Sequence, residues 1–130
     1  MLEIVLIDNP ASGLSELGRA LEQREDVRLT RASSAQEALE LIGNRPGIHL
    51  AVVGEEAGDM SGLRFVEKLM AINAMVNTAV CSPLDQEEFH EQSEGMGILM
   101  QLPPQPGAAE AEELLTSLRN IVRLTTPATT

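Results

Sequence analysis

Five short apolar runs alternate along the chain with five amphipathic stretches, and this alternation limits the fold more than any other feature. The clearest run is Leu50-Ala51-Val52-Val53. It stops at Gly54, passes through the acidic loop Glu55-Glu56-Ala57-Gly58-Asp59, and reaches Met60-Ser61-Gly62 before an amphipathic stretch begins. That is the pattern of a buried strand, a loop at its C-terminal end, and a helix. In open α/β sheets, sites are built outside such strand ends. The first residue past this strand is Gly54, which has no side chain.

The rest of the chain repeats the unit. Glu3 to Asp8 is a β-branched run too apolar for a half-exposed strand, and it suits a parallel strand covered on both faces. Asn9-Pro10 marks a turn, and a first helix is predicted from Ser12 or Gly13, with Leu14, Leu17 and Leu21 at helical spacing. Val27 to Thr30 is more polar and belongs at the sheet's edge. Ser34 with Glu37 three residues on predicts a capping box at the start of a second helix, with Ala38, Leu41 and Ile42 inward. Gly43-Asn44-Arg45-Pro46-Gly47 stops it. Further strands are predicted over Ile48–Val53, Val76–Ser82 and Ile98–Leu102. Helices are predicted over Gly62–Ala71 (Leu63, Val66, Leu69 and Met70 inward), Asp85–Ser93 (anchored by Phe89) and Ala108–Arg123. The methionines are expected mainly as core filler.

Helices between parallel strands imply a three-layer, doubly wound α/β fold. With right-handed crossovers, the flavodoxin-like five-stranded order 2-1-3-4-5 with five helices is the natural topology. It brings Asp8, Asn9 and Gly54 together at the switch point. One domain, residues 1–124, is expected, with a frayed tail over 125–130.

Composition removes several functions. Nine basic against twenty acidic residues give a net charge of −11, which opposes nucleic-acid binding. Phe65 and Phe89 are the sole aromatics, so no base-stacking surface is expected. One cysteine, Cys81, excludes an intrachain disulfide. At the end of an apolar strand it is expected as an inert buried thiol. His49 and His90 lack ligand spacing. No apolar run approaches the roughly 18 residues of a membrane span, and no signal peptide is visible, so a cytoplasmic protein is expected.

From Ile4 to about Val122 the chain resembles a response-regulator receiver domain of the chemotaxis-regulator type. The residues that carry the likeness are Leu6-Ile7-Asp8-Asn9, Ser34-Ala35-Gln36-Glu37-Ala38-Leu39, Leu50 to Gly54 with Met60-Ser61-Gly62, Val80-Cys81-Ser82-Pro83, and Gly95 followed by Leu102-Pro103. The resemblance implies a phosphorylation switch: an acid pair holding a divalent metal, an acceptor aspartate, a hydroxyl sensor, a lysine before proline, and an aromatic reporter. By position these are Asp8 and Asn9, Gly54, Ser82 (Cys81 under a one-residue slip), Leu102 and Leu99. Asp8 and Ser82 match; the acceptor and the lysine do not. Phosphoryl transfer needs a nucleophilic oxygen, a cation and positive charge at the transferred group. Gly54 and Leu102 supply neither nucleophile nor charge.

The leading expectation is therefore a degenerate pseudo-receiver. It would be a non-enzymatic, non-phosphorylatable signalling protein that works by protein–protein contact, with a signalling kinase or output protein as partner. In receivers the face of the fourth helix, fifth strand and fifth helix commonly pairs domains. Here that face offers Met96, Ile98, Leu99 and Met100 to a partner or to a second copy. Two alternatives stay open. The degenerate pocket of Asp8, Asn9, Gly54 and Ser82 would bind a cation or small ligand, with Glu55 or Glu56 joining Asp8 on a metal; no cofactor is the leading expectation, since Asp8 alone is a poor magnesium site. Or a shifted acid, Glu55 or Glu56, would accept phosphate. The plain readings are solvated loop acids for Glu55 and Glu56, a strand-end carboxylate for Asp8, and a turn hydroxyl for Ser82.

Overall fold

The computed structural model describes residues 1–8 and 13–125, with side chains described as far as Val122. Its elements follow the expected order: β1 (Leu2–Ile7), α1 (Ser15–Glu22), β2 (Val27–Ala32), α2 (Ala35–Asn44), β3 (Leu50–Val53), α3 (Gly62–Ile72), β4 (Asn77–Cys81), α4 (Gln86–Gln92), β5 (Met100–Leu102) and α5 (Ala108–Thr125). The strands form one sheet in the order β2-β1-β3-β4-β5, and every pairing is parallel.

Side chains alternate across a strand, so each apolar run feeds two cores. Ile4, Leu6, Leu50, Val52, Ala79 and Leu102 pack with Leu17 and Leu21 of α1 and with Leu114, Leu115 and Leu118 of α5. Val5, Ile7, Ala51, Val53 and Val80 face the other way, against α2, α3 and α4. There Phe65 is fully buried and Phe89 anchors α4. This two-sided burial is why β1 and β3 show no polar alternation. β2 has one strand neighbour and shows exposed and half-buried positions, as an edge strand should.

Several boundaries differ from expectation for local reasons. α1 begins at Ser15, because Gly13 takes a left-handed φ of +68° that a helix does not use. The alternative start, Ser12, lies outside the described residues, as does Asn9. β5 starts only at Met100, since Gly97 at φ +63° turns the chain just before it, although the Leu99 amide still donates to the Thr78 carbonyl at 2.8 Å. β2 extends to Ala32, whose carbonyl accepts from the Asp8 amide at 2.9 Å. α5 runs through Thr125, so the first residue of the expected tail is helical; residues 126–130 lie outside the described residues.

The methionines need a larger correction. Met70 is 39% and Met75 is 79% exposed, while Met60, Met96 and Met100 are partly buried. The interior is filled instead by Leu, Ile, Val and Ala, whose branched shapes pack between sheet and helix.

Candidate functional site

The C-terminal ends of β1, β3 and β4 deliver Asp8, Gly54 and Ser82 to one edge of the sheet, as the topology requires. Gly54 is buried directly after Val53. The loop beyond it is held by its own backbone. The Ala57 amide donates to the Met60 carbonyl at 2.8 Å, Gly62 donates to Glu55 at 2.8 Å, and Glu56 bridges to Ser61. Ser61 then caps α3 by accepting from the Arg64 amide. Gly62 must be glycine for space. A Cβ there would collide with the Gly54 carbonyl oxygen.

Asp59, the third acid of this loop, points at another element. Its Oδ1 accepts from the Ala35 amide at 2.9 Å and its Oδ2 from Gln36 at 3.2 Å. It therefore shares the Ala35 amide with the Ala57 carbonyl, which accepts from it at 2.9 Å, satisfies the Gln36 amide, and meets the dipole of α2. Ser34 caps the same helix in the expected way, accepting from the Glu37 amide at 3.2 Å. The capping-box acid departs from expectation. Glu37 returns to the Ser33 hydroxyl at 2.7 Å and the Ser33 amide at 3.4 Å.

Asp8 pairs with an arginine that sequence reasoning passed over. Arg31 of β2 donates from Nη1 to Asp8 Oδ2 at 2.5 Å, and from Nε to Glu22 Oε1 of α1 at 2.8 Å. The Asp8 side chain is only 17% exposed. Glu55 and Glu56 are exposed, and they line two neighbouring clefts of about 330 Å³ and 200 Å³ that also share Cys81. Asp8 lines neither cleft. Among the described residues no group of three or more His, Cys, Asp or Glu is placed to hold a metal ion. The donor set therefore does not fit magnesium, which wants several oxygens in octahedral array.

Ser82 is buried, and its hydroxyl is engaged locally, accepting from the Leu84 amide at 3.2 Å. The loop after β4 is further tied by Gln101, whose Nε2 donates to the carbonyls of Leu84 (2.7 Å) and Ser82 (3.3 Å). Cys81 lies opposite Leu102 across the β4–β5 pairing, and its thiol donates to the Pro103 carbonyl at 3.1 Å. Burial pushes this thiol above its ordinary value. The charge of Glu55 adds to the rise, and a backbone hydrogen bond at Gln105 opposes it. Leu102 is fully buried in the core under α1 and α5, so its position delivers packing and no charge.

The expected partner face is only partly contiguous. Met96 and Ile98 lean on the core beneath α4, while Leu99 and Met100 lean on the core beneath α5. A groove of about 600 Å³ between α4 and β5 brings Ile98, Leu99 and Met100 together, with Phe89 and His90 on the α4 side; Met96 does not line it.

Of the residues sequence reasoning missed, Gly18 carried the best signal. An isolated glycine inside a helical pattern points to a close neighbour, and here the neighbours are Leu6 and Arg31. Asp59 and Gln101 bond to distant segments, and no local pattern marks them.

No protein-family model and no curated protein sequence matches the chain. Solved structures do. A CheY-like receiver domain protein from Methanospirillum hungatei aligns with a TM-score of 0.79 at 19% identity, over 95% of this chain and 98% of its own. The response regulator domain of CheB from Thermotoga maritima gives 0.76 at 15%, over 97% and 99%. A two-component response regulator from Legionella pneumophila gives 0.73 at 16%, over 92% and 99%. The chain has the flavodoxin-like fold of response-regulator receiver domains. Among the described residues, no helix is long and apolar enough to cross a membrane.

Proposed function

We propose that this chain is a receiver-like signalling module that does not take up phosphate and acts through contact with another protein. Gly54 carries the proposal. It follows β3 directly, where the fold's switch-point logic puts a reacting side chain, and it has none. Leu102 supports the same reading, because a buried leucine brings no positive charge to a transferred phosphoryl group. The pairing of Asp8 with Arg31 supports it again, since a carboxylate already engaged is a poor start for a cation site. The module works in the cytoplasm without catalytic turnover.

The partner binds the groove between α4 and β5, where half-buried Ile98, Leu99 and Met100 offer an adaptable apolar surface. The chain's −11 charge favours a partner with basic residues around the contact.

The test is incubation of the full chain with acetyl phosphate and Mg²⁺, followed by intact-mass measurement, and with beryllofluoride, followed by NMR. The expected result is no phosphoryl adduct and an unchanged amide spectrum. An adduct mapped to Glu55 or Glu56 would overturn the proposal and show a receiver with a displaced acceptor.

A further inference from the structure

The receiver-domain fold calls for a divalent cation beside Asp8, and among the described residues no set of ligands fits one. We infer that Arg31 is the resident cation of this pocket. Its guanidinium holds Asp8 permanently, so the top of β1 is fixed in one state without metal. The inference deepens the proposed function and rests on it for one premise, that Gly54 brings no second carboxylate to Asp8.

Three elements build the arrangement. Arg31 lies opposite Leu6 across the β1–β2 pairing. Its Nη1 donates to Asp8 Oδ2 at 2.5 Å, while Nε and Nη2 lie 2.8 Å and 2.6 Å from Glu22 Oε1 on α1. The planar fork thus serves two carboxylates from different elements, which a lysine ammonium on its flexible stem cannot match. α1 makes room for it. A Cβ at Gly18 would sit 2.9 Å from both Nη1 and Nη2 of Arg31 and 2.7 Å from Leu6 Cδ2. Glycine in mid-helix is unfavourable relative to alanine, so its use at this buried position is explained by Leu6 and the guanidinium lying together against it. One face of the slot is helix backbone, one is Leu6, and the charge is closed at each end by an acid.

The consequence is functional. A receiver that takes its cation from solution changes with metal supply. Here the same carboxylate is closed by the protein, and the pocket presents one surface whatever the divalent-ion concentration. Arg31 is a positioning residue: it acts through Asp8.

The test uses Mn²⁺ alone as the probe, added to the full-length chain, with paramagnetic broadening read at the Asp8 and Gly54 amides. Exposed acids on α4, such as Glu87 and Glu88, report non-specific binding in the same spectrum. In the wild type the Asp8 and Gly54 signals should broaden no more than those of α4. In Arg31→Gln they should broaden selectively. Gly18→Ala should do the same by displacing the guanidinium. Arg31→Lys, a mild change suited to a chain that must stay folded, should fall between. Selective broadening at Asp8 in the wild type would overturn the inference. So would variants at Arg31 and Gly18 that remain as quiet as wild type. The two proposals fail separately: a phosphoryl adduct ends the earlier one, and manganese at wild-type Asp8 ends this one.

Discussion

Gly62 is a glycine because of its neighbour. The carbonyl of Gly54 occupies the place where a Cβ would stand. Since the obstacle is backbone, it cannot swing aside like the end of a flexible side chain, and either β3's exit or the first turn of α3 must move. Gly62→Ala should destabilise the chain by about 1–3 kcal/mol, the usual cost of overpacking, read as a lower midpoint in urea unfolding. Stability equal to wild type would mean the loop tolerates the shift. Cys81 gives the second prediction at this scale. Burial raises its thiol, so the folded chain holds that proton more tightly than the unfolded chain does. This contribution is complete below the unfolded thiol's value, near 9.0, and is lost as pH rises through the higher folded value. Native Cys81 should therefore react with iodoacetamide at pH 8 more slowly than the same chain in denaturant. Equal rates would show an open thiol. The sequence made the buried thiol legible, because Cys81 ends an apolar run. The demand at Gly62 was legible only as part of a Met-Ser-Gly pattern, and the colliding carbonyl is a tertiary fact.

At the scale of elements, α2 shows how one helix end joins distant segments. Ser34 and Glu37 are close in sequence, and the cap in which the Ser34 hydroxyl accepts from the Glu37 amide was readable there, though the Glu37 carboxylate turns to Ser33 instead. Asp59 arrives from the β3–α3 loop and accepts from two amides of the same first turn. Asp59 therefore links the loop that follows Gly54 to α2, and its removal takes this acceptor from the Gln36 amide while the Ala35 amide keeps the Ala57 carbonyl. Asp59→Ala should cost about 1 kcal/mol, as loss of a capping acid usually does. Glu56→Ala, at an exposed position in the same loop, should change stability by less than about 0.5 kcal/mol. Urea unfolding of the two variants side by side checks the contrast, and equal losses would deny Asp59 its capping role. Helix α3 illustrates the opposite limit. Its periodicity placed Val66 and Leu69 inside correctly, yet Met70 lies outward. A helix face read from spacing has soft edges, and the residue at the margin is decided by how closely the neighbouring helix packs.

For the whole molecule, strand order and both cores followed from the alternation of apolar runs, because a run with no polar face has few places to go except between two helix layers. The pocket was half legible. Positions could be carried to Asp8, Gly54, Ser82 and Leu102, but the charge that meets Asp8 comes from β2, brought near by parallel pairing. That organisation bears on whether an aspartate after β3 would be enough for phosphoryl transfer. Gly54→Asp returns a nucleophilic oxygen to the end of β3. It does not return positive charge at Leu102, which is fully buried in the opposite core. Nor does it release Asp8 from Arg31, and the new carboxylate would stand beside Glu55 and Glu56, whose charges repel an anionic donor. Phosphoryl transfer depends on positioning together with charge neutralisation, so restoring one part of the set should restore little of the rate. Gly54→Asp should remain without a phosphoryl adduct after acetyl phosphate and Mg²⁺ treatment by intact-mass measurement, while its amide spectrum shows a folded chain. An adduct on that single variant would mean that the rest of the pocket supports the chemistry and that an acceptor at position 54 is all it requires.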